Sequence, residues 1–346
     1  MKYERMNTMW NEARLDEMLT TPSQSLLEDV AKIKGDIMIL GAGGKMGPTL
    51  SLLAKKAVDQ AGGNQKVIAV SRFTDSMAVK LLNDNGVNTI AGDLMDHEFL
   101  NSLPDVGNII YMVGRKFGTG GQEHLTWEMN VSLPVNVAER FRKSNIVVFS
   151  SGNIYPMVPI HSSGADEQVT PLPNGEYGMS CLGRERIFEN ASHKWNTPVF
   201  IYRLNFAIDL RYGVLYDIAS TIMEGKPVSV SMAVFNCIWQ GDANEMAIRA
   251  LLHTDSPATV MNITGPETIS TRYAAEELGR LLGKEVIFEG EESETAFLNN
   301  SALAMKTFGY PTVPIKTMLE WQAAWILSGG RALNKPTHFE ERKGKY

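Results

Sequence analysis

The segment "GEYGMSCLGRERIFE", Gly175 to Glu189, places Tyr177 where a phenol could give or take a proton. A free phenol titrates near pH 10, at about 10, and needs a neighbouring cation to act as a base at neutral pH. The residue four positions on, and so on the same helical face, is Cys181, whose neutral thiol supplies no such charge. Two cations stand within reach by sequence: Arg184, two turns after Tyr177, and Lys116, beyond the end of a predicted strand. Both are also what a solvated surface would carry. As a nucleophile Cys181 would need a base to lower its pKa, and no histidine is placed by sequence to provide one, so a buried small side chain is the simpler expectation. His124 and His161 fall in predicted loops beside the expected cleft, as candidate bases or substrate contacts or as ordinary surface histidines.

A second stretch, "IMILGAGGKMGPTL", puts glycines at 41, 43, 44 and 47 between an apolar run and a helix. In that position Gly41 allows a sharp turn and Gly44 lets backbone amides approach a pyrophosphate. Gly47 permits close packing, and the helix start adds partial positive charge. Lys45 and Met46 lie inside the same loop. The stretch therefore predicts a dinucleotide site. An acid at the end of the next strand would bind the ribose hydroxyls of NAD, but the chain reads "VSRF" there, with Ser71 and Arg72. That pair suits a 2′-phosphate and points to NADP, with NAD as the alternative if Arg72 only stacks on adenine. Asp93 and Leu94, in "AGDL", fall on the adenine side, where Asp93 either accepts from the adenine amine or merely shapes a turn.

These residues need a scaffold, and the hydrophobic pattern supplies one. Short apolar runs ("DIMIL", "KVIAVSRF", "VNTIAGDL", "NIIYMVG", "IVVFSSG") alternate with helical stretches, including one long helix over "LTWEMNVSLPVNVAERFRKS". This predicts an α/β fold, a Rossmann-type doubly wound parallel sheet. The expected organisation is an N-terminal helical extension over 1–35, the dinucleotide-binding domain over 36–175, a smaller C-terminal α/β substrate domain with the catalytic helix over 176–330, and a solvated tail over 331–346. The Pro/Gly/Ser-rich loop after Gly152 is long enough to suggest function. With 346 residues, 44% hydrophobic and 21% charged, the chain has an ordinary globular composition. Its net charge of -6 and lack of a long Lys/Arg cluster argue against nucleic acid. Two cysteines, Cys181 and Cys237, give neither a disulfide framework nor a metal site. No stretch reads as a signal peptide or membrane span, and a cytoplasmic protein is expected.

With these motifs in place the chain resembles the extended short-chain dehydrogenase/reductase superfamily, specifically the NAD(P)-dependent epimerase/dehydratase family of sugar-modifying enzymes. The resemblance runs from Asp36 to Ile326. It rests on "GAGGKMG", "GDL", "FSSGNIYP" and "YGMSC", with "NITGPETIS" and "FGYP" as weaker signposts. It implies Ser151 as the substrate-polarising serine and Tyr177 as the acid/base, with Cys181 standing in the position of the family's lysine. That lysine holds the nicotinamide ribose and lowers the pKa of the tyrosine. The resemblance further implies Val113, Gly114 and Asn130 along the cofactor, and Lys116, Asn153 and Asn205 toward substrate. Phe235, in "VFNCIWQGDANE", falls where an arginine would grip a nucleotide-sugar diphosphate. That tilts the expected substrate toward a free sugar, sugar acid or small polyol. The family also implies a homodimer built on the helices near 125–143 and 177–190, with Trp127 and Met129 in the core or at that interface. The function expected is NAD(P)-dependent oxidation, epimerisation or dehydration at a sugar hydroxyl. The alternative is a redox-inactive dinucleotide-binding sensor or scaffold of the same fold.

Overall fold

A computed structural model describes residues 10–116, 120–335 and 337–345. Seven parallel strands form the central sheet: β1 (Ile37–Leu40), β2 (Val67–Ser71), β3 (Asn88–Ala91), β4 (Asn108–Tyr111), β5 (Asn145–Ser151), β6 (Val199–Leu204) and β7 (Thr259–Ile263). Their spatial order is β7-β6-β5-β4-β1-β2-β3, so the direction of winding reverses between β1 and β4. A crevice at the carboxyl ends of the strands follows from that reversal. β1 and β4 are buried along their whole length, which is why they read as unbroken apolar runs.

Helices cover both faces. On one side α3 (Gly47–Gln60) and α10 (Gln240–Arg249) bury Leu50, Leu53 and Ala247. On the other, α7 (Leu133–Arg140) and α8 (Gly175–Trp195) bury Val137 and Phe188. A second core gathers α9 (Val214–Met223), α11 (Thr271–Leu282) and α13 (Ile315–Leu327). No helix among the described residues is long and apolar enough to cross a membrane.

The long helix expected from Leu125 is helical throughout but not uniform: α6 (Glu123–Trp127) passes through a π-helical turn at Glu128–Ser132 directly into α7. The turn carries Asn130, whose buried amide bonds the β4 loop, and that contact fixes the extra residue in the turn. The N-terminal extension holds α2 (Gln24–Val30), with Ser23 as cap, and also α1 (Glu12–Leu19), which lacked an obvious sequence signal. The first nine residues of that extension lie outside the described residues. Finally, the basic C-terminal segment is docked and not solvated. Phe339 packs edge-on against Phe235 with centroids 6.1 Å apart, and Arg342 donates to the Thr295 carbonyl at 2.6 Å. One aromatic anchor and one guanidinium suffice to hold a segment whose sequence shows no periodicity.

α8 is tied to the sheet by a buried ion pair. Arg203 on β6 donates to both carboxylate oxygens of Glu185, at 3.0 and 2.7 Å, and Ser150 adds a bond of 2.5 Å. Its remaining amine donates to the Tyr155 hydroxyl, which donates in turn to Asn262 on β7. Because Glu185 is wholly buried, Glu185→Gln should leave the Arg203 charge uncompensated and lower unfolding free energy by about 3–5 kcal/mol. Chemical denaturation with an unchanged denaturant slope is the check.

Candidate functional site

A cleft of about 790 Å³ runs along the carboxyl ends of β1, β2, β4, β5 and β6. The glycine loop forms one wall. Gly41 takes a φ of +91°, and a Cβ there would come within 3.0 Å of the Val113 nitrogen. Its amide and that of Ala42 bond the Val70 carbonyl, pinning the loop to β2. A Cβ at Gly44 would meet nothing but the Gly41 carbonyl at 3.4 Å, so the space above it is open cleft. At Gly47 a side chain would run into the Ala42 backbone. No side chain caps the start of α3, where Met46 stands at the cap position, so its first amides remain available to a ligand anion. Lys45 lies in the cleft with its Nζ 3.4 Å from the centroid of the Tyr212 ring. Burial, and then the neighbouring Lys116 and Lys335, push its pKa down to about 7.

Ser71, Arg72, Asp93 and Leu94, expected on the adenine side, all line one part of the cleft. Arg72 is exposed at the rim. Asp93 is also exposed and accepts from the Met95 amide at 3.0 Å, the local turn that its position in sequence allowed.

Ser151, Tyr177 and Cys181 gather in another part of the site. Ser151 ends β5, donates to the Asn153 side chain at 3.1 Å and accepts from the Asn153 amide at 3.2 Å. The hydroxyl of Tyr177, in the first turn of α8, is hydrogen-bonded with both Ser151 and Cys181. Burial raises the Tyr177 pKa well above the usual phenol range, Cys181 adds to the rise, and Arg184 and Ser151 oppose it. Cys181 is wholly buried, and burial pushes its thiol up, so it is not the thiolate that a nucleophile requires.

Arg184 is 5% exposed and lines the cleft. Its Nη1 donates to the Phe149 carbonyl at 2.8 Å, whereas Nε and Nη2 are buried with no hydrogen-bond partner among the described residues. Nη2 lies 2.8 Å from where a Cβ of Gly114 would stand, so a residue larger than glycine at 114 would displace the guanidinium. Lys116 enters from the same loop, its Nζ 3.3 Å from the Thr337 carbonyl and 5.6 Å from the Tyr177 ring centroid. Burial lowers its pKa to about 8.

The fold thus brings most of the expected residues to one cleft, including Val113, Gly114, Asn153 and Asn205. Asn130 is not among the lining residues. Its Oδ1 accepts from the Arg115 amide, and its Nδ2 donates to the Arg115 carbonyl and to Ser180. It clamps the loop from behind. Asn205 donates to Asn236 at 2.8 Å. Phe235 is buried under Phe339 and faces no ligand space, and His124 and His161 are exposed outside the cleft. Tyr212, Gln240, Lys335 and Thr337 line the cleft without having been anticipated. Gln240 opens α10, and the other three come from irregular segments in which no period or motif marks them. No group of three metal-ligating side chains occurs among the described residues.

The model of the NAD dependent epimerase/dehydratase family matches residues 37–230. Comparison with curated proteins gave no match. Among solved structures, the fold is similar to that of a Bacillus cereus UDP-glucuronic acid 4-epimerase in complex with NAD, with a TM-score of 0.68 and 17% identity over 84% of this chain and 98% of that one. It is similar also to a Bacillus anthracis dTDP-glucose 4,6-dehydratase in complex with NAD, at 0.69 and 18% over 84% and 96%. A UDP-Glc/GlcNAc 4-epimerase from Campylobacter jejuni gives 0.68 and 16% over 85% and 99%.

Because a Cβ at Gly44 enters open cleft, Gly44→Ala is expected to change stability by no more than about 0.5 kcal/mol. It should weaken nicotinamide dinucleotide binding by about tenfold or more in a fluorescence titration.

Proposed function

The chain belongs to the NAD dependent epimerase/dehydratase family, and from that premise we propose that it oxidises, epimerises or dehydrates a sugar-derived alcohol, using NADP(H) in preference to NAD(H). The observation that carries this reading is the hydrogen-bonded pair of Ser151 and Tyr177 at the end of the same cleft that begins at the glycine loop. The residues suit a dinucleotide along its length. The loop amides and the start of α3 would hold the pyrophosphate, Ser71 and Arg72 the adenosine 2′-phosphate, and Val113 and Gly114 would flank the nicotinamide half. When bound, the nicotinamide supplies a hydride acceptor or donor. Tyr177 takes the proton of the carbinol hydroxyl or returns it to a carbonyl, while the Ser151 hydroxyl donates to the charge developing on that oxygen.

Phe235, under Phe339, leaves no arginine for a diphosphate at that position, and Lys45, Lys116 and Lys335 surround the far end of the cleft. A sugar acid or other small anionic polyol fits this lining better than a nucleotide sugar. We assign the dimer to the outer faces of α6, α7 and α8, which leave Trp127, Val135 and Met179 exposed. The second reading, a redox-inactive dinucleotide sensor, draws support from Cys181, which sits against the Tyr177 hydroxyl where a cation would be useful.

Tyr177→Phe separates the two. In an enzyme it should cut kcat by about 10²- to 10⁴-fold while dinucleotide affinity stays unchanged. Wild type and variant that bind the dinucleotide equally well and turn over neither alcohol nor carbonyl would leave the sensor reading standing. The phenol starts neutral, because its pKa is raised by burial and Cys181 against the opposing Arg184 and Ser151, with Lys116 above the ring. Alcohol oxidation, which needs the deprotonated form, should therefore accelerate about tenfold per pH unit from 7 to 9. Carbonyl reduction, which needs the protonated form, should stay flat over that interval in initial-rate assays.

A further inference from the structure

A guanidinium is charged at every pH a protein meets, and burying one without a counter-charge costs several kcal/mol in hydration, so a buried arginine ordinarily spends its donors on carboxylates or carbonyls. Arg184 does not. One of its three nitrogens is used, on the Phe149 carbonyl, the other two are buried with no hydrogen-bond partner among the described residues, and the guanidinium carbon stands 5.9 Å from the Tyr111 ring centroid. The adjacent acid cannot serve, since Glu185 already accepts from Arg203 through both oxygens and from Ser150. The free side of the guanidinium lies against Gly114, on the loop that borders the cleft, and its charge reaches both Tyr177 and Cys181. The residue before it in the same stripe, Cys181, is short and buried.

We propose that Arg184 replaces the missing lysine: its Nε and Nη2 bind the ribose hydroxyls of the nicotinamide half of the cofactor, and its charge stabilises the deprotonated form of Tyr177. The inference rests on the reading of the cleft as a nicotinamide dinucleotide site. A pair of neighbouring hydroxyl oxygens matches two adjacent donors fixed in one plane, and a guanidinium presents such a fork where an ammonium offers a point charge. The donors are held ready by the Phe149 carbonyl and by the absence of a side chain at 114. On this account the exchange of lysine for cysteine removes a cation from one turn of α8 and the next turn returns it.

The test measures binding before turnover. Wild type and the variants Arg184→Gln and Arg184→Lys are titrated with NADPH and with adenosine 2′,5′-bisphosphate, and in parallel with NADH and ADP. Each fragment keeps the adenosine end of its dinucleotide and lacks the nicotinamide ribose. Arg184→Gln is expected to weaken the dinucleotides by about tenfold or more and to leave the fragments within about twofold, because two charge-assisted bonds are lost at one end only. Arg184→Lys, which keeps the charge but not the fork, should recover only part of the dinucleotide affinity while restoring the pH midpoint. In turnover of the alcohol, the alkaline midpoint of Arg184→Gln should rise by about one pH unit or more, with Cys181, Ser151 and Lys116 still facing the phenol. Equal losses for dinucleotide and fragment would show that Arg184 only supports the fold and would overturn the proposal, as would unchanged dinucleotide affinity with an unchanged pH midpoint. Wild type that binds neither dinucleotide would instead sink the cofactor reading, on which this inference stands.

Discussion

Between α8 and β6, in a region closed to water, Glu185 and Arg203 meet through two parallel hydrogen bonds, with Ser150 and Tyr155 satisfying what the pair leaves over. Such a pair adds little net stability, but losing either member is costly, so it acts chiefly as a register lock. The consequence reaches the cleft. Ser150 precedes Ser151 on β5, and Tyr177 stands eight residues before Glu185 on α8, so the geometry that seats the ion pair also brings the serine and tyrosine hydroxyls together. The strand side and the helix side of the site are joined through one salt bridge.

Around that lock the electrostatics are uneven. The cleft collects Lys45, Lys116, Lys335, Arg72 and Arg184, and for Lys45 and Lys116 the pKa falls to about 7 and 8, chiefly through burial. A lining of this kind repels further cations and rewards an occupant that brings phosphate or carboxylate oxygens. Tyr177 experiences the opposite problem, since burial and Cys181 favour its neutral form. A bound dinucleotide addresses both needs, giving the basic lining its phosphates and adding positive charge beside the phenol when the nicotinamide is oxidised.

Much of this was legible in the sequence because the relevant signals are local. Gly41, Gly44 and Gly47 announce a turn and a close approach at fixed spacing, the fully buried strands appear as apolar runs, and Ser23 and the residues after it mark a helix start. Non-local facts were not legible. The π-helical turn exists because Asn130 reaches across to Arg115, and the C-terminal segment lies down because Phe339 finds Phe235, contacts spanning 15 and 104 residues (130 - 115 and 339 - 235). Arg184 falls between these cases. Its helical face was readable from the spacing, but its burial and its two unused donors depend on Gly114 and on Glu185 being committed elsewhere.

The central claim is that the cleft is a nicotinamide dinucleotide site. It is tested most directly by titrating cofactor-free, folded protein with NADPH and NADH while following nicotinamide fluorescence. The account predicts saturable binding with micromolar dissociation constants, tighter for NADPH because Ser71 ends β2 and Arg72 follows it where an acid would select NAD. Saturable binding of neither dinucleotide by folded protein would contradict it.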